Sequence, residues 1–162
     1  MSIRHTPWFS VLKMLQYALT GRLHFLKDQI GAVFVDENGQ QFRVFRYAIV
    51  DSDQSRAGGR AKAVFLAHFH VAGMTMRGNI LFSLLPIPFF IGLSGFRSKR
   101  WMVDEVSGDF AGYYEWATVE DAENYSHSFA AQFMKARSVP NTVWFGVYSL
   151  ETAPAPPAHV AM

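Results

Sequence analysis

From residue 7 to 19 the apolar positions Trp8, Phe9, Val11, Leu12, Leu15, Ala18 and Leu19 recur near helical spacing, leaving Lys13 and Gln16 to a polar side. Thr6 ahead of Pro7 supplies an N-cap and a proline at the first helical position, and Gly21 supplies a stop. An amphipathic helix is predicted here, with residues 22–30 continuing as a second short helix. At 32–50 the pattern changes to β-branched and aromatic residues on either side of Asn38-Gly39, which predicts a β-hairpin. The polar, glycine-bearing stretch DSDQSRAGGRAK at 51–62 reads as a linker or mobile loop.

Beyond it the elements follow in a regular order. VFLAHFHV at 64–71 reads as a strand, and Met74 to Phe90 as a helix bent or broken by Pro86 and Pro88. FRSKRWMVDE at 96–105 and DFAGYYEWA at 109–117 read as strands around a Ser107-Gly108 turn. Thr118 then caps a helix running to about Arg137, with Ala122, Tyr125, Phe129 and Phe133 on its apolar side. NTVWFGVYSL at 141–150 closes the series as a strand. The order β-α-β-β-α-β is that of the ferredoxin-like split unit, an α+β fold.

Three regions are therefore expected: a helix-plus-hairpin extension at 1–60, the ferredoxin-like domain at 61–150, and a disordered Pro/Ala-rich tail at 151–162. Two helices on one face leave the other sheet face bare, so a second copy or an added segment must cover it. A homodimer is the expectation.

The stretch NILFSLLPIPFFIGLSGF at 79–96 carries no charge and is followed by RSKR. Its length sits near the roughly 17 residues needed to cross a bilayer. Pro86, Pro88 and two late glycines would, however, leave backbone groups unpaired at mid-depth, which lipid does not tolerate. It is better read as the wall of an apolar pocket, with Asn79, Phe82, Leu85, Phe89 and Phe90 as contacts for a hydrophobic small molecule. A peripheral membrane contact through residues 8–19 stays open.

Composition narrows the field. Half of the 162 residues are hydrophobic and 15% aromatic, while only 17% are charged. The net charge of +2 is small and the basic residues are dispersed, which argues against a nucleic-acid partner. Without cysteine there is no disulfide, thiolate metal site or cysteine nucleophile. Lys13 interrupts the first apolar stretch and no small-residue cleavage site follows, so no signal peptide is expected and the cytoplasm is the default location. The chain carries no GxSxG, Walker or dinucleotide motif, Gly58-Gly59 alone being too little.

Four groups of residues carry a family resemblance. They are Leu66, His68, Phe69 and Gly73 in AHFHVAG and its surroundings; Gly95, Phe96, Lys99 and Trp101; Gly112, Tyr114 and Trp116; and Thr118, Ala122 and Tyr125. Across residues 64–150 this pattern resembles the dimeric α/β-barrel superfamily, and within it small monooxygenases related to antibiotic-biosynthesis monooxygenases. The chain departs in its 1–60 extension, its longer and greasier crossover, and Ser94 where the family often has proline. The resemblance implies a ferredoxin-like fold and monooxygenation of a hydrophobic aromatic or polyketide-like molecule without a cofactor.

Strand alternation assigns candidate chemistry. The apolar set Phe65, Ala67, Phe69 and Val71 belongs under the helices, which sends His68 and His70 to the open face. The resemblance puts Trp116 beneath the helices, so Tyr113 and Glu115 face the histidines. Arg97, Lys99 and Trp101 form one set and are expected on that same face. His68 or His70 would then act as base, Glu115 would orient the imidazole, and Trp101 and Tyr113 would hold the substrate ring, with Arg97 and Lys99 available to an anionic group. Two alternatives stand beside this: a cyclase or isomerase using the same base, or a non-catalytic binder of hydrophobic ligands or membrane surfaces. Two strand histidines without a third clear ligand do not make a metal site, and no cofactor is expected.

Overall fold

The computed structural model describes residues 6–51 and 60–161, so most of the polar connection, including Gly58-Gly59, lies outside the described residues. Helix α1 (Pro7–Leu19) starts at Thr6, whose hydroxyl accepts from Phe9 N. Strand β1 (Leu23–Leu26) follows where a short helix is expected from the sequence. It has an edge to pair with, the second half of the long strand β3 (Gln41–Val50), in register Leu23 to Val50. Strand β2 (Val33–Val35) pairs the first half of β3 across the Asn38-Gly39 turn, where Gly39 takes a positive φ of 81°.

The split unit is built from β4 (Ala63–Phe69), α2 (Met76–Phe82), β5 (Phe96–Val103), β6 (Phe110–Trp116), α3 (Val119–Ser126), α4 (Phe129–Ala136) and β7 (Trp144–Ser149). Its strands run β5-β6-β4-β7, and β3, flanked by β1 and β2, continues the same sheet beyond β5. This is an α+β ferredoxin-like fold. The helix expected from 118 to 137 is broken at His127, because the Ser128 hydroxyl accepts from Ala131 N and caps a second helix. The crossover is interrupted too: α2 ends at Phe82, and Ile87–Phe89 make one 3₁₀ turn with Pro86 before it and Pro88 within it, neither able to donate. No helix among the described residues is long and apolar enough to cross a membrane.

Both sheet faces are covered. Under the helices lie Phe65, Phe90, Trp101, Tyr114, Trp116 and Tyr125. The opposite face holds a second core of Phe34, Phe42, Val44, Leu66, Met102 and Tyr113. The tail helps to close it, contrary to the expectation of disorder. Tyr113 Oη donates to Pro154 O at 2.9 Å, Ala158 bridges Val33, and His159 Nε2 lies 2.7 Å from Asp28 O. Backbone groups of a proline-rich strap can be satisfied in this way without forming a strand of the sheet. Of the two covers expected for this face, a second copy or an added segment, segments of the same chain occupy its centre.

Helix α1 docks on the crossover through its less apolar side. Ser10, fully buried, donates to Pro88 O and accepts from Gly92 N. Gly92 is required there, because a Cβ would stand 2.0 Å from Ser10 O. Trp8, Leu12, Leu15 and Leu19 consequently form a stripe that faces outward, Leu19 being 87% exposed.

Candidate functional site

The antiparallel register of β4 with β6 sets His68 opposite Ala111 and Phe69 opposite Phe110. His70 and Asp109 lie one step beyond the last of these pairs. His70 Nδ1 lies 2.7 Å from Asp109 Oδ1, and His68 Nε2 lies 3.2 Å from Oδ2. Gln40, just ahead of β3, donates to the same Oδ2 at 2.9 Å. Burial alone would push the Asp109 carboxyl up, but the bonds from Gln40, His70 and His68 outweigh it and take its pKa down to about 2. An ionised carboxylate only accepts, so each histidine presents an N–H to it. In a neutral imidazole the remaining lone pair is then on Nδ1 of His68 and on Nε2 of His70.

His68 also lines a cleft of about 490 Å³, walled by Phe34, Phe42, Leu66, Trp144 and Tyr148. Phe42 meets the imidazole edge-on, with centroids 5.1 Å apart. Burial first, and the nearby Glu37 carboxylate second, raise the Tyr148 phenol above its ordinary range, so it is a hydrogen-bond donor at neutral pH. Apolar walls with few convergent polar groups suit an organic ligand.

Glu115 does not reach the histidines. It shares their face, but it pairs Val64, four residues along β4 from His68, about 13 Å away at strand rise. It instead accepts from Ser98 Oγ and, at 3.2 Å, from Arg100 Nη1. Tyr113 is on the expected face but is buried against Pro154 rather than lining the cleft, its phenol raised to about 12 by burial and then by Glu115.

Lys99 and Trp101 lie on the other side of the sheet. Strand alternation groups residues into sets without saying which set faces which way. Here Trp101 pairs Gly112 and Lys99 pairs Tyr114, so both sit under the helices. Arg97 falls at the irregularity between Phe96 and Ser98 and donates to Phe96 O. The crossover does wall a cavity there, of about 70 Å³, in which Asn79, Phe82 and Phe90 meet Lys99 and Trp101. Phe89 packs on Phe129 instead, and Leu85 is 55% exposed. The single expected pocket is thus two, one on each sheet face.

Asp109, Gln40, Trp144 and Tyr148 are the residues that strand alternation missed. The one sequence signal for Asp109 is its place at the head of a strand that pairs with the histidine strand. Among the described residues no group of three or more histidine and acidic side chains is disposed to hold a metal ion.

No family model and no curated protein matches the chain. Among solved structures, it is similar to an uncharacterized ferredoxin-fold protein related to antibiotic biosynthesis monooxygenases from Listeria monocytogenes 4b F2365. That likeness has a TM-score of 0.51 and 8% identity over 84% of this chain and 86% of the other. An anthrone oxidase-like protein aligns with 17% identity and a TM-score of 0.47 over 68% of this chain and 54% of its own. At such identities the first likeness speaks to the fold.

Proposed function

We propose that the protein is a small cofactor-independent, monooxygenase-like enzyme that removes a proton from a hydrophobic aromatic or polyketide-like molecule held in the His68 cleft. One observation carries this reading: a single carboxylate, kept ionised, bonds two imidazoles beside an aromatic-walled cleft. His68 Nδ1 takes the proton, from a phenol or from a C–H beside a carbonyl, and Asp109 stabilises the imidazolium that results. His70, on the other carboxylate oxygen, holds Asp109 in place. Phe42, Trp144 and Tyr148 take the ring-holding part that the sequence pattern gives to Trp101 and Tyr113. The electron-rich carbanion then reacts with dioxygen: a CH₂ becomes C=O, and the second oxygen atom leaves as water with both hydrogens.

The same proton abstraction would serve a cyclase or isomerase, and oxygen uptake separates the two. An anthrone, whose benzylic C–H is acidic, is a suitable probe with an oxygen electrode. Uptake that is lost in His68→Ala, with the fold retained by circular dichroism, is the expected result. Full activity in both His68→Ala and His70→Ala overturns the scheme.

A second reading is favoured by α1. Its outward stripe of Trp8, Leu12, Leu15 and Leu19 is larger than a lone exposed residue, and the helix carries Lys13 and no carboxylate. That chemistry suits the surface of an anionic lipid bilayer, which would bring the protein to membrane-dissolved hydrophobic molecules.

A further inference from the structure

On the opposite sheet face, Lys99 is only 6% exposed, and its Nζ points among three rings: Tyr114 at 4.2 Å, Trp101 at 4.5 Å and Phe90 at 4.6 Å. All four groups line the cavity of about 70 Å³ between the crossover, α4 and the sheet. None of the ion pairs among the described residues involves Lys99. A cation that acts on it is Arg46 on β3, fixed by bonds from Nη1 to Ser83 Oγ at 2.7 Å and from Nη2 to Ile80 O at 3.1 Å. We propose that Lys99 is a nucleophilic amine, and that this cavity takes a small apolar aldehyde or ketone as an imine on its Nζ.

Two influences oppose each other at this amine. The ring faces attract an ammonium, by about 2 kcal/mol or more for a desolvated contact. Stripping an ammonium of water costs several kcal/mol in a protein interior, and no ion pair among the described residues offsets it here. Burial first, and the Arg46 guanidinium second, therefore hold Lys99 well below the ordinary lysine range. A desolvated amine next to a second cation is the arrangement that makes a lysine nucleophilic at neutral pH.

The step balances without any further reagent. The Nζ lone pair adds to the carbonyl carbon, and the C–O bond then breaks. Both amine hydrogens leave with the oxygen as water, and a C=N bond remains. The rings that surround Nζ exclude the water that would hydrolyse it. The volume admits only a few heavy atoms, since a single water needs about 10–15 Å³ of such space. A short-chain carbonyl compound fits, whereas the larger ligand suited to the His68 cleft does not. This site therefore stands independently of the His68 reading.

The test is reductive labelling of the folded protein with propanal and cyanoborohydride, read by peptide mass spectrometry. The four other lysines, Lys13, Lys27, Lys62 and Lys135, are not buried and serve as internal controls. At pH 7 an ordinary lysine is almost wholly protonated, so Lys99 should label at least about tenfold faster than any of them. Its rate should also climb less from pH 7 to 9 than theirs, since burial holds its amine below the ordinary lysine range. The groups facing Nζ do not change charge in that window: Arg46 and Arg137 are guanidinium cations, and burial raises the Tyr114 and Tyr125 phenols. Lys99→Met should abolish the fast label, and His68→Ala should leave it intact. Labelling of Lys99 no faster than the controls, or none at all, overturns the proposal, and because the comparison is made within one folded chain it does not depend on any variant folding.

Discussion

His70 Nδ1 and Asp109 Oδ1 meet at 2.7 Å just beyond the ends of two antiparallel strands, with the second carboxylate oxygen given to His68 and Gln40. Both residues lie one position beyond the last pair of β4 and β6, Phe69 with Phe110, so the fold itself brings them together. A base positioned in this way needs no rearrangement to accept a proton, and its conjugate acid already faces an anion.

Asp109→Asn tests that anion directly. An amide keeps the shape and one acceptor but cannot balance an imidazolium, and its NH₂ group competes for the histidine lone pairs. Turnover of the anthrone probe should fall by about 10²–10⁴-fold, the usual size of positioned acid–base catalysis, while the circular dichroism spectrum stays unchanged. Near-normal turnover in Asp109→Asn would assign the three side chains to structure alone.

The same carboxylate gives a pH signature. Its folded-state pKa, about 2, lies below the ordinary 3.8, so the folded state favours the ionised form. The stability this contributes is complete above the ordinary value and is lost as pH falls through the folded one. Urea unfolding between pH 5 and 2 should show an acid limb that is shallower in Asp109→Asn. An identical limb in both proteins would mean that Asp109 is not held ionised by its neighbours.

Lys99 costs stability at neutral pH, where Asp109 contributes it. Its folded-state pKa is depressed, so near neutrality the unfolded chain binds a proton that the folded protein disfavours. The Lys99 contribution to stability therefore rises with pH until the ordinary lysine pKa of about 10.4 is passed. Lys99→Met, of similar shape and without the amine, should be more stable at pH 7 by about 1–3 kcal/mol. That advantage should shrink as pH climbs toward 10. A loss of stability at pH 7 would show that the ring cage favours the ammonium after all. A stabilising substitution at a buried polar group is what a site kept for chemistry predicts.

The elements are legible in the sequence where short-range physics decides them. Thr6-Pro7 marks the helix start, Asn38-Gly39 the hairpin, and the strand–helix order the ferredoxin-like unit. What the sequence withholds is register. Alternation groups Lys99 with Trp101 and His68 with His70, but only the pairing of Trp101 with Gly112 says that the first pair faces the helices. The partner of the histidines escapes for the same reason: Glu115 shares their face four residues away, while Asp109 lies one position beyond the last pair of the two strands. The tail escapes because a proline-rich strap has no apolar period, and its place is set by single backbone contacts such as Tyr113 to Pro154.

The outward face of α1 yields the last prediction. Trp8, Leu12, Leu15 and Leu19 recur at four, three and four residues, and so stand within one narrow stripe, while Ser10 on the opposite side is the helix's buried residue. An amphipathic helix docked by its weaker side leaves its apolar area in water unless something covers it. Vesicles of phosphatidylcholine with phosphatidylglycerol should therefore sediment the full chain, and pure phosphatidylcholine should do so less, because α1 carries Lys13 without a carboxylate. Leu12→Asp with Leu19→Asp removes apolar area and adds negative charge without touching Ser10 or Gly92. It should weaken vesicle binding by at least about tenfold, given about 1.5–3 kcal/mol for each buried leucine. Equal sedimentation of both proteins, or a concentration-dependent dimer that the same substitutions dissolve, would show that the stripe meets something other than lipid.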